Sequence, residues 1–224
     1  MPDNASIDAL PSLRGHHLIE TLETIEPTDV TRAGLGPDAI VRAVDPAQLD
    51  RSGVRRLLDA LRRIGAAVPS VNLSDVESAT FATLIATASR AQLDDVFAKP
   101  DLREALLNEA FQRMRQHVRP DRVGRLHAVV RWRLTGGDGN GGIGGAGYDR
   151  YECHFADGGC TVRAGATDGT PRATITVSPV DFLRLTTRQA TPAVLFVTGK
   201  LNVKGDLGFA AGLIRYFDLP SPRT

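Results

Sequence analysis

The stretch that decides the fold runs from Ser178 to Phe217 and reads SPVDFLRLTTRQATPAVLFVTGKLNVKGDLGFAAGLIRYF. Ser178 followed by Pro179 is typical of a helix start, because serine caps the first turn and proline fits the first helical position. The run VLFVTGKLNVKG predicts a strand, and DLGFAAGLIRYF predicts a terminal helix that begins at Asp206. The stretch therefore predicts a helix, a strand and a final helix in succession.

The segments that precede this stretch alternate between apolar and polar residues, as half-buried strands do. They are RLHAVVRWRL, YDRYECHF, CTVRA and ATITV, and Asp157-Gly158 predicts a hairpin turn between the second and the third. Helical periodicity dominates residues 36–104, and residues 1–35 are rich in turn formers. We predict an α+β protein with a flexible arm over 1–35, a helical region over 36–104, and a five-stranded, mostly antiparallel sheet covered by helices over 105–224.

A glycine-rich segment, TGGDGNGGIGGAGY from Thr135 to Tyr148, contains the spacing Gly-x-Gly-x-x-Gly twice. A dinucleotide-binding site with this spacing needs a strand before it and a helix after it, because the helix N-terminus holds the pyrophosphate. Here predicted strands lie on both sides. The segment 136–147 is therefore interpreted as a hairpin loop, either a tolerated insertion or a mobile flap over a site.

The composition is that of an ordinary soluble globular protein, with 42% hydrophobic residues and a formal net charge of +1 over 224 residues. This charge favours no nucleic-acid partner. The sequence shows no signal peptide and no apolar run of about 20 residues, so we expect a cytoplasmic location. Cys153 and Cys160 are interpreted as small buried hydrophobes, and no histidine has metal-site spacing, so no metal and no cofactor is expected.

The C-terminal stretch resembles the signature of the sterol-carrier-protein type-two family. The family pattern is Phe-x-x-Gly-Lys-Leu-x-x-x-Gly-Asp, which is matched here by Phe196, Gly199, Lys200, Leu201, Gly205 and Asp206. The order of predicted elements from about 105 to 220 is also similar. The resemblance implies a five-stranded sheet with helices on one side, and between them an apolar tunnel that holds sterols, fatty acids or acyl-CoA.

The large apolar residues on the inward faces of these elements are the predicted lining of the tunnel. They are Val130, Trp132, Phe155, Val162, Phe182, Leu185, Phe196, Phe209, Leu213 and Phe217. The alternative is that the same residues fill a solid core. Arginines crowd the segment before and within the first strand, and Arg122, Arg125, Arg131 and Arg133 are candidates for binding an anionic head group, with a solvated face as the alternative.

Three functions remain open at this point. The first is a lipid-binding or lipid-transfer protein without catalysis. Such a protein would contact membrane surfaces transiently without stable insertion, and it could form a homodimer. The second is an enzyme, a cyclase or isomerase of a hydrophobic natural product. Its groups would come from Asp138, Tyr148, Tyr151, His154 or Asp181. The third is an accessory interaction module whose cavity has closed.

Overall fold

The computed structural model describes residues 9–137 and 147–223. Most of the glycine-rich loop predicted over 136–147, with Asp138, lies outside these ranges. The chain divides into two compact units, Met1–Glu109 with Ser221–Thr224, and Ala110–Pro220. Among the described residues, no helix is both long and apolar enough to cross a membrane.

The first unit is built of helices joined by short turns. They are α1 (Gly15–Thr24), α2 (Pro27–Arg32), α3 (Pro37–Arg42), α4 (Gly53–Ala67), α5 (Ser78–Thr87), α6 (Arg90–Phe97) and the first part of α7 (Pro100–Gln116), with 3-10 turns at Leu10–Ser12, Pro46–Gln48 and Leu73–Asp75. The apolar stripe of α4 is buried, including Val54, Leu57 and Leu61. Proline at the first turn of α2 and α3 fixes where these helices begin.

Helices α1 and α2 lie within residues 1–35, which differs from the arm predicted there. Leu18, Ile19 and Leu22 of α1 are fully buried, and α1 packs against α4. The Arg63 guanidinium of α4 donates hydrogen bonds of 2.7 and 2.9 Å to the carbonyls of Leu22 and Ile25. These bonds satisfy carbonyls at the end of α1 that have no partner within the helix.

The second unit contains the predicted five-stranded sheet. Its strands are β1 (Ala128–Gly137), β2 (Gly147–Ala156), β3 (Gly159–Ala164), β4 (Ala173–Val177) and β5 (Leu201–Gly205), in the order β3-β2-β1-β4-β5. Only the central pair, β1 and β4, is parallel. The α+β class and the mostly antiparallel sheet are therefore confirmed. Asp157 and Gly158 take positive φ angles of 51° and 76° at the β2–β3 hairpin, as the predicted turn requires.

Short helices accompany the sheet in this unit. They are α8 (Pro120–Val123), α9 (Pro179–Thr186), α10 (Pro192–Val197) and α11 (Leu207–Gly212), followed by a 3-10 turn at Leu213–Tyr216. The predicted caps are in place, since Ser178 Oγ accepts the amide of Asp181 at 3.1 Å and Asp206 Oδ1 accepts that of Phe209 at 2.8 Å.

Helix α10 is where the prediction of a strand from Val194 onwards is wrong. The hydroxyl of Thr191 accepts the Val194 amide at 3.3 Å, and Pro192 occupies the first helical position. Gly199 ends the turn with a φ of 70°, so that the Lys200 amide reaches the Leu195 carbonyl at 2.8 Å. These local signals outweigh the strand propensity of the valines, and only Leu201–Gly205 pairs in the sheet.

Candidate functional site

A cavity of about 450 Å³ lies between one half of the sheet and the C-terminal segments of the second unit. Its volume falls in the range of small-molecule sites. The wall includes residues from α7, three strands, α9, α10, α11 and the segment that follows α11. They are Met114, Trp132, Ile175, Leu185, Thr186, Thr191, Pro192, Ala193, Phe196, Val197, Leu201, Val203, Leu207, Ala210, Ala211, Leu213, Ile214, Arg215, Phe217 and Leu219.

The sheet side of the cavity follows from strand register. Trp132 on β1 is paired with Ile175 on β4, and Ile175 is paired with Val203 on β5. Directly paired residues point to the same face of a sheet. The three side chains therefore form a row across β1, β4 and β5, and Leu201 lies on the same face two residues before Val203.

The polar side chains of the wall are few, and two of them already have partners. The Thr186 hydroxyl donates to the Leu183 carbonyl at 3.1 Å, and the Thr191 hydroxyl caps α10. Arg215 is the charged residue among the described residues of the wall. It is exposed and forms no ion pair with any described residue. The cavity therefore offers a ligand an apolar surface and one cation at its rim.

Half of the predicted lining residues lie at this wall: Trp132, Leu185, Phe196, Leu213 and Phe217. The others lie elsewhere in the second unit. Val130 and Phe182 are fully buried in the packed core, and Phe155 lies 5.9 Å from Phe217, ring centroid to ring centroid. Val162 lies on the edge strand β3.

Phe209, the fifth of these residues, packs under the Arg172 guanidinium at 4.3 Å. Arg172 in turn pairs with Asp206 at 2.9 Å. This arrangement fixes the start of α11 on the sheet, and α11 then places Ala210 and Ala211 at the cavity wall.

The four arginines predicted to hold a head group do not line the cavity. Arg122 lies 3.4 Å from the carboxylate of Asp121, and Arg125 is exposed. The Arg133 guanidinium lies 5.9 Å from the ring centroid of Tyr148.

Arg131 forms a buried ion pair on the opposite face of the sheet from the cavity. Its Nε donates to Glu152 Oε1 at 2.8 Å, and its terminal nitrogen donates to the carbonyls of Thr167 and Gly169 at 2.7 and 3.0 Å. Glu152 is fully buried, and its second oxygen accepts the Thr167 hydroxyl at 2.9 Å and lies 3.0 Å from His154 Nε2. Burial alone would raise the pKa of Glu152, but the bonds from Arg131 and Thr167 outweigh burial and hold it below its ordinary value.

The residues proposed for catalysis are dispersed. Tyr151 stacks on Phe111 at 4.2 Å, and His154 is held by Glu152. The Asp181 carboxylate accepts the Ser178 hydroxyl at 2.7 Å within the cap of α9. Neither these groups nor Tyr148 belong to the described wall of the cavity, and Asp138 lies outside the described residues.

The cysteines lie diagonally across β2 and β3, as the register predicts, with Cys153 opposite Val162 and Cys160 opposite Phe155. Both are free and buried, and burial raises the pKa of the Cys153 thiol. Within residues 9–137 and 147–223, no group of three or more histidine, cysteine or acidic side chains could hold a metal ion.

Arg215 is one of the wall residues that the sequence did not predict. The signal for it is present, since it is the one charged residue between Asp206 and Asp218 in an otherwise apolar terminal segment. Ile175, Leu201 and Val203 could likewise have been found by extending the inward alternation from β1 to β4 and β5.

The model of the SCP-2 sterol transfer family matches residues 107–218, which is half of the chain. The chain belongs to the SCP-2 sterol transfer family. Membership supports lipid or sterol binding or transfer as the general function of this part of the chain. No curated protein matches the chain significantly.

Solved structures similar to this chain include members of the same family. Sterol carrier protein 2 like 2 of Aedes aegypti is 19% identical, with 49% of this chain and 94% of that chain covered and a TM-score of 0.35. Sterol carrier protein 2 of Yarrowia lipolytica is 20% identical over 50% of this chain and 80% of that one, with a TM-score of 0.33. A stereoselective inverting sec-alkylsulfatase of Pseudomonas sp. is 14% identical over 91% of this chain and 34% of that chain, with a TM-score of 0.43.

Proposed function

We propose that the protein binds one hydrophobic lipid, such as a fatty acid, an acyl-CoA or a sterol, in the cavity of the second unit and carries it without chemical change. We assign this function to residues 105–224. The observation that carries the proposal is the cavity itself, about 450 Å³ in volume and walled almost wholly by apolar side chains. Membership of the SCP-2 sterol transfer family and the presence of an apolar cavity of ligand size both support this function.

Affinity in such a cavity comes from apolar burial. Each methylene moved out of water contributes about 0.8 kcal/mol, so ten of them contribute roughly 8 kcal/mol before the cost of ordering the chain. The wall therefore needs no dense set of hydrogen bonds to hold a lipid. The dispersal of Tyr148, Tyr151, His154 and Asp181 away from the wall supports binding over catalysis.

Among these lipids we favour one with an acidic head group. Arg215 lies at the rim, is exposed and has no anionic partner among the described residues. A carboxylate or phosphate at the rim would form a charge-assisted hydrogen bond with its guanidinium while the hydrocarbon lies inside. Arg215 thus replaces Arg122, Arg125, Arg131 and Arg133 as our candidate for the head group.

The test is native mass spectrometry of the protein after incubation with a long-chain fatty acid, an acyl-CoA or a sterol. We expect one lipid per chain. Ala211→Trp should reduce loading at least about tenfold, because Ala211 lies at the wall and the indole would occupy the space of the ligand.

The matched control is Ala164→Trp, which makes the same change at an exposed position on β3, outside the wall. This variant should load lipid as the unchanged protein does, and circular dichroism should show both variants folded. If none of the lipids binds, or if Ala164→Trp loses binding as Ala211→Trp does, the proposal is wrong.

A further inference from the structure

The large apolar side chains that are exposed in the described parts of the chain all lie beside the cavity. They are Val194, Phe196, Val197 and Leu207, with exposed fractions of 58%, 45%, 84% and 51%. Three of the four also belong to the cavity wall, whereas Val194 does not. We name these four residues the rim patch. Exposed apolar residues scattered singly are ordinary, but a cluster at one place marks an interaction surface.

Geometry makes the rim patch project from the fold. Helix α10 is one and a half turns long and is closed at both ends by its own capping bonds, from Thr191 and from Lys200. Leu195 is its buried residue, which anchors one side of the helix. On its other positions the helix exposes Val194, Phe196 and Val197.

Asp206, which precedes Leu207 of the rim patch, is paired with Arg172 at 2.9 Å, and the charges in the segment before it are basic. From Phe182 to Gly205 the sequence contains Arg184, Arg188, Lys200 and Lys204 and no acidic residue. Arg188 pairs with Asp218 at 3.0 Å, whereas Lys200 and Lys204 are exposed and form no ion pair with any described residue. Lys200 follows α10 beside the rim patch, whereas Lys204 lies on the outer face of β5, paired with Thr174.

We propose that the rim patch inserts into the surface of an anionic phospholipid bilayer, with Lys200 bound to the lipid head groups. Shallow apolar insertion combined with basic side chains is how peripheral segments bind such surfaces. Each lysine near an anionic surface contributes about a fivefold gain in affinity. Docking in this orientation would open the cavity towards the lipid phase, since Phe196, Val197 and Leu207 belong to both surfaces.

A second copy of the chain fits the rim patch less well. In a two-fold symmetric contact the same patch faces itself, so Lys200 of both copies would be brought together. A membrane rich in anionic lipid supplies both the apolar phase and the opposite charge. The inference rests on the proposed function for its purpose, but vesicle binding is measured without any ligand.

The test is vesicle flotation of the full chain. One set of vesicles contains phosphatidylcholine with phosphatidylserine and the other phosphatidylcholine alone. We expect binding to the anionic vesicles only, weakened by salt. Lys200→Gln should weaken binding by about fivefold. Val194→Glu should weaken it at least about tenfold, because a carboxylate in the patch opposes both insertion and the anionic surface.

Matched controls lie on the far side of the sheet. Arg163→Gln removes one exposed cation and Thr161→Glu adds one acid, both on β3 at the edge opposite β5. Both should bind vesicles nearly as the unchanged protein does. Val194→Glu also suits the first turn of α10, where an acidic residue is favourable, so the helix should persist in circular dichroism.

Three outcomes would overturn the inference. The first is the absence of binding to anionic vesicles, and the second is an equal loss of binding in the control and rim variants. The third is concentration-dependent dimerisation that Val194→Glu abolishes while vesicle binding persists, which would assign the patch to a second copy. Lipid loading measured in parallel by native mass spectrometry keeps this failure distinct from failure of the proposed function, because Val194 and Lys200 do not line the cavity.

Discussion

The two halves of the sheet's inner face differ in what covers them. Over β1 and β2 lies a cluster of aromatic rings, in which Phe111 stacks on Tyr151 at 4.2 Å and on Phe182 at 4.5 Å, and Trp132 meets Phe182 edge to face at 5.1 Å. We call this the filled half. Over β4 and β5 the facing residues, Ile175 and Val203, are aliphatic and line the cavity. We call this the open half.

The outer faces of the two halves differ in the same way. Behind the filled half, the fully buried Glu152 joins Arg131, and the carbonyls of Thr167 and Gly169 close over the pair. Behind the open half, polar side chains of β5 such as Asn202 and Lys204 are exposed. The filled half is thus held on both faces. The comparison teaches that one sheet can supply a rigid base and a binding surface side by side.

The largest expected effect is a difference in the free energy of unfolding lost when a phenylalanine is changed to alanine in each half. Phe182→Ala should lower the free energy of unfolding by about 3–5 kcal/mol, because it empties a fully buried site between aromatic rings. Phe196→Ala makes the same change at a half-exposed site of the open half and should cost about 1 kcal/mol or less. Urea denaturation of both variants measures the difference. Similar costs at the two sites would show that the halves are packed alike.

The next effect tests the outer face of the filled half. Glu152→Gln should cost about 3 kcal/mol, because it leaves the Arg131 guanidinium without its buried carboxylate. The lowered pKa of Glu152 also sets a pH dependence. The charged carboxylate contributes its stability above the pKa of the unfolded chain, about 4.3, and this contribution is lost as the pH falls through the lower folded pKa.

Denaturation at a series of pH values from neutral to acid tests both statements about Glu152. The difference between the unchanged protein and Glu152→Gln should be constant near neutral pH and should shrink in the acid range. Glu26→Gln, at an exposed glutamate, serves as the matched control. A difference that grows towards acid pH would contradict the direction of the pKa shift.

The filled half is the part of the second unit that could be predicted most fully from the sequence. Alternation in β1 placed Trp132 inward, Asp157-Gly158 marked the turn between β2 and β3, and Ser178 marked the start of α9. Each of these signals is local, because a side-chain period or a cap depends on a few neighbouring residues.

The open half could be predicted less well, for two physical reasons. Inward apolar residues look alike in sequence whether their neighbours touch them or leave a gap, so Phe182 and Leu185 could not be assigned to core or cavity. Helix α10 was missed because its valines favour strands, while Thr191 and Pro192 at its start decide the structure. Phe196 is exposed because it lies on this helix, and its residue type alone does not predict the exposure.

The smallest expected effect sharpens the comparison at the edge of the open half, where the proposed head-group site lies. Arg215→Gln should weaken binding of a long-chain fatty acid by about tenfold, because a charge-assisted hydrogen bond to the carboxylate is lost at an exposed position. A fatty alcohol of the same chain length should bind both proteins alike, since the apolar wall is unchanged. Titration calorimetry with the two ligands measures the difference. The matched control is Arg163→Gln, which changes an exposed arginine on β3.

Equal weakening of acid and alcohol binding would mean that Arg215 supports the packing of the rim and does not bind the charged group of the ligand. If neither ligand binds more weakly, the cavity is a purely apolar site. The proposal of an acidic head group would then be wrong, while the proposed lipid-binding function would stand.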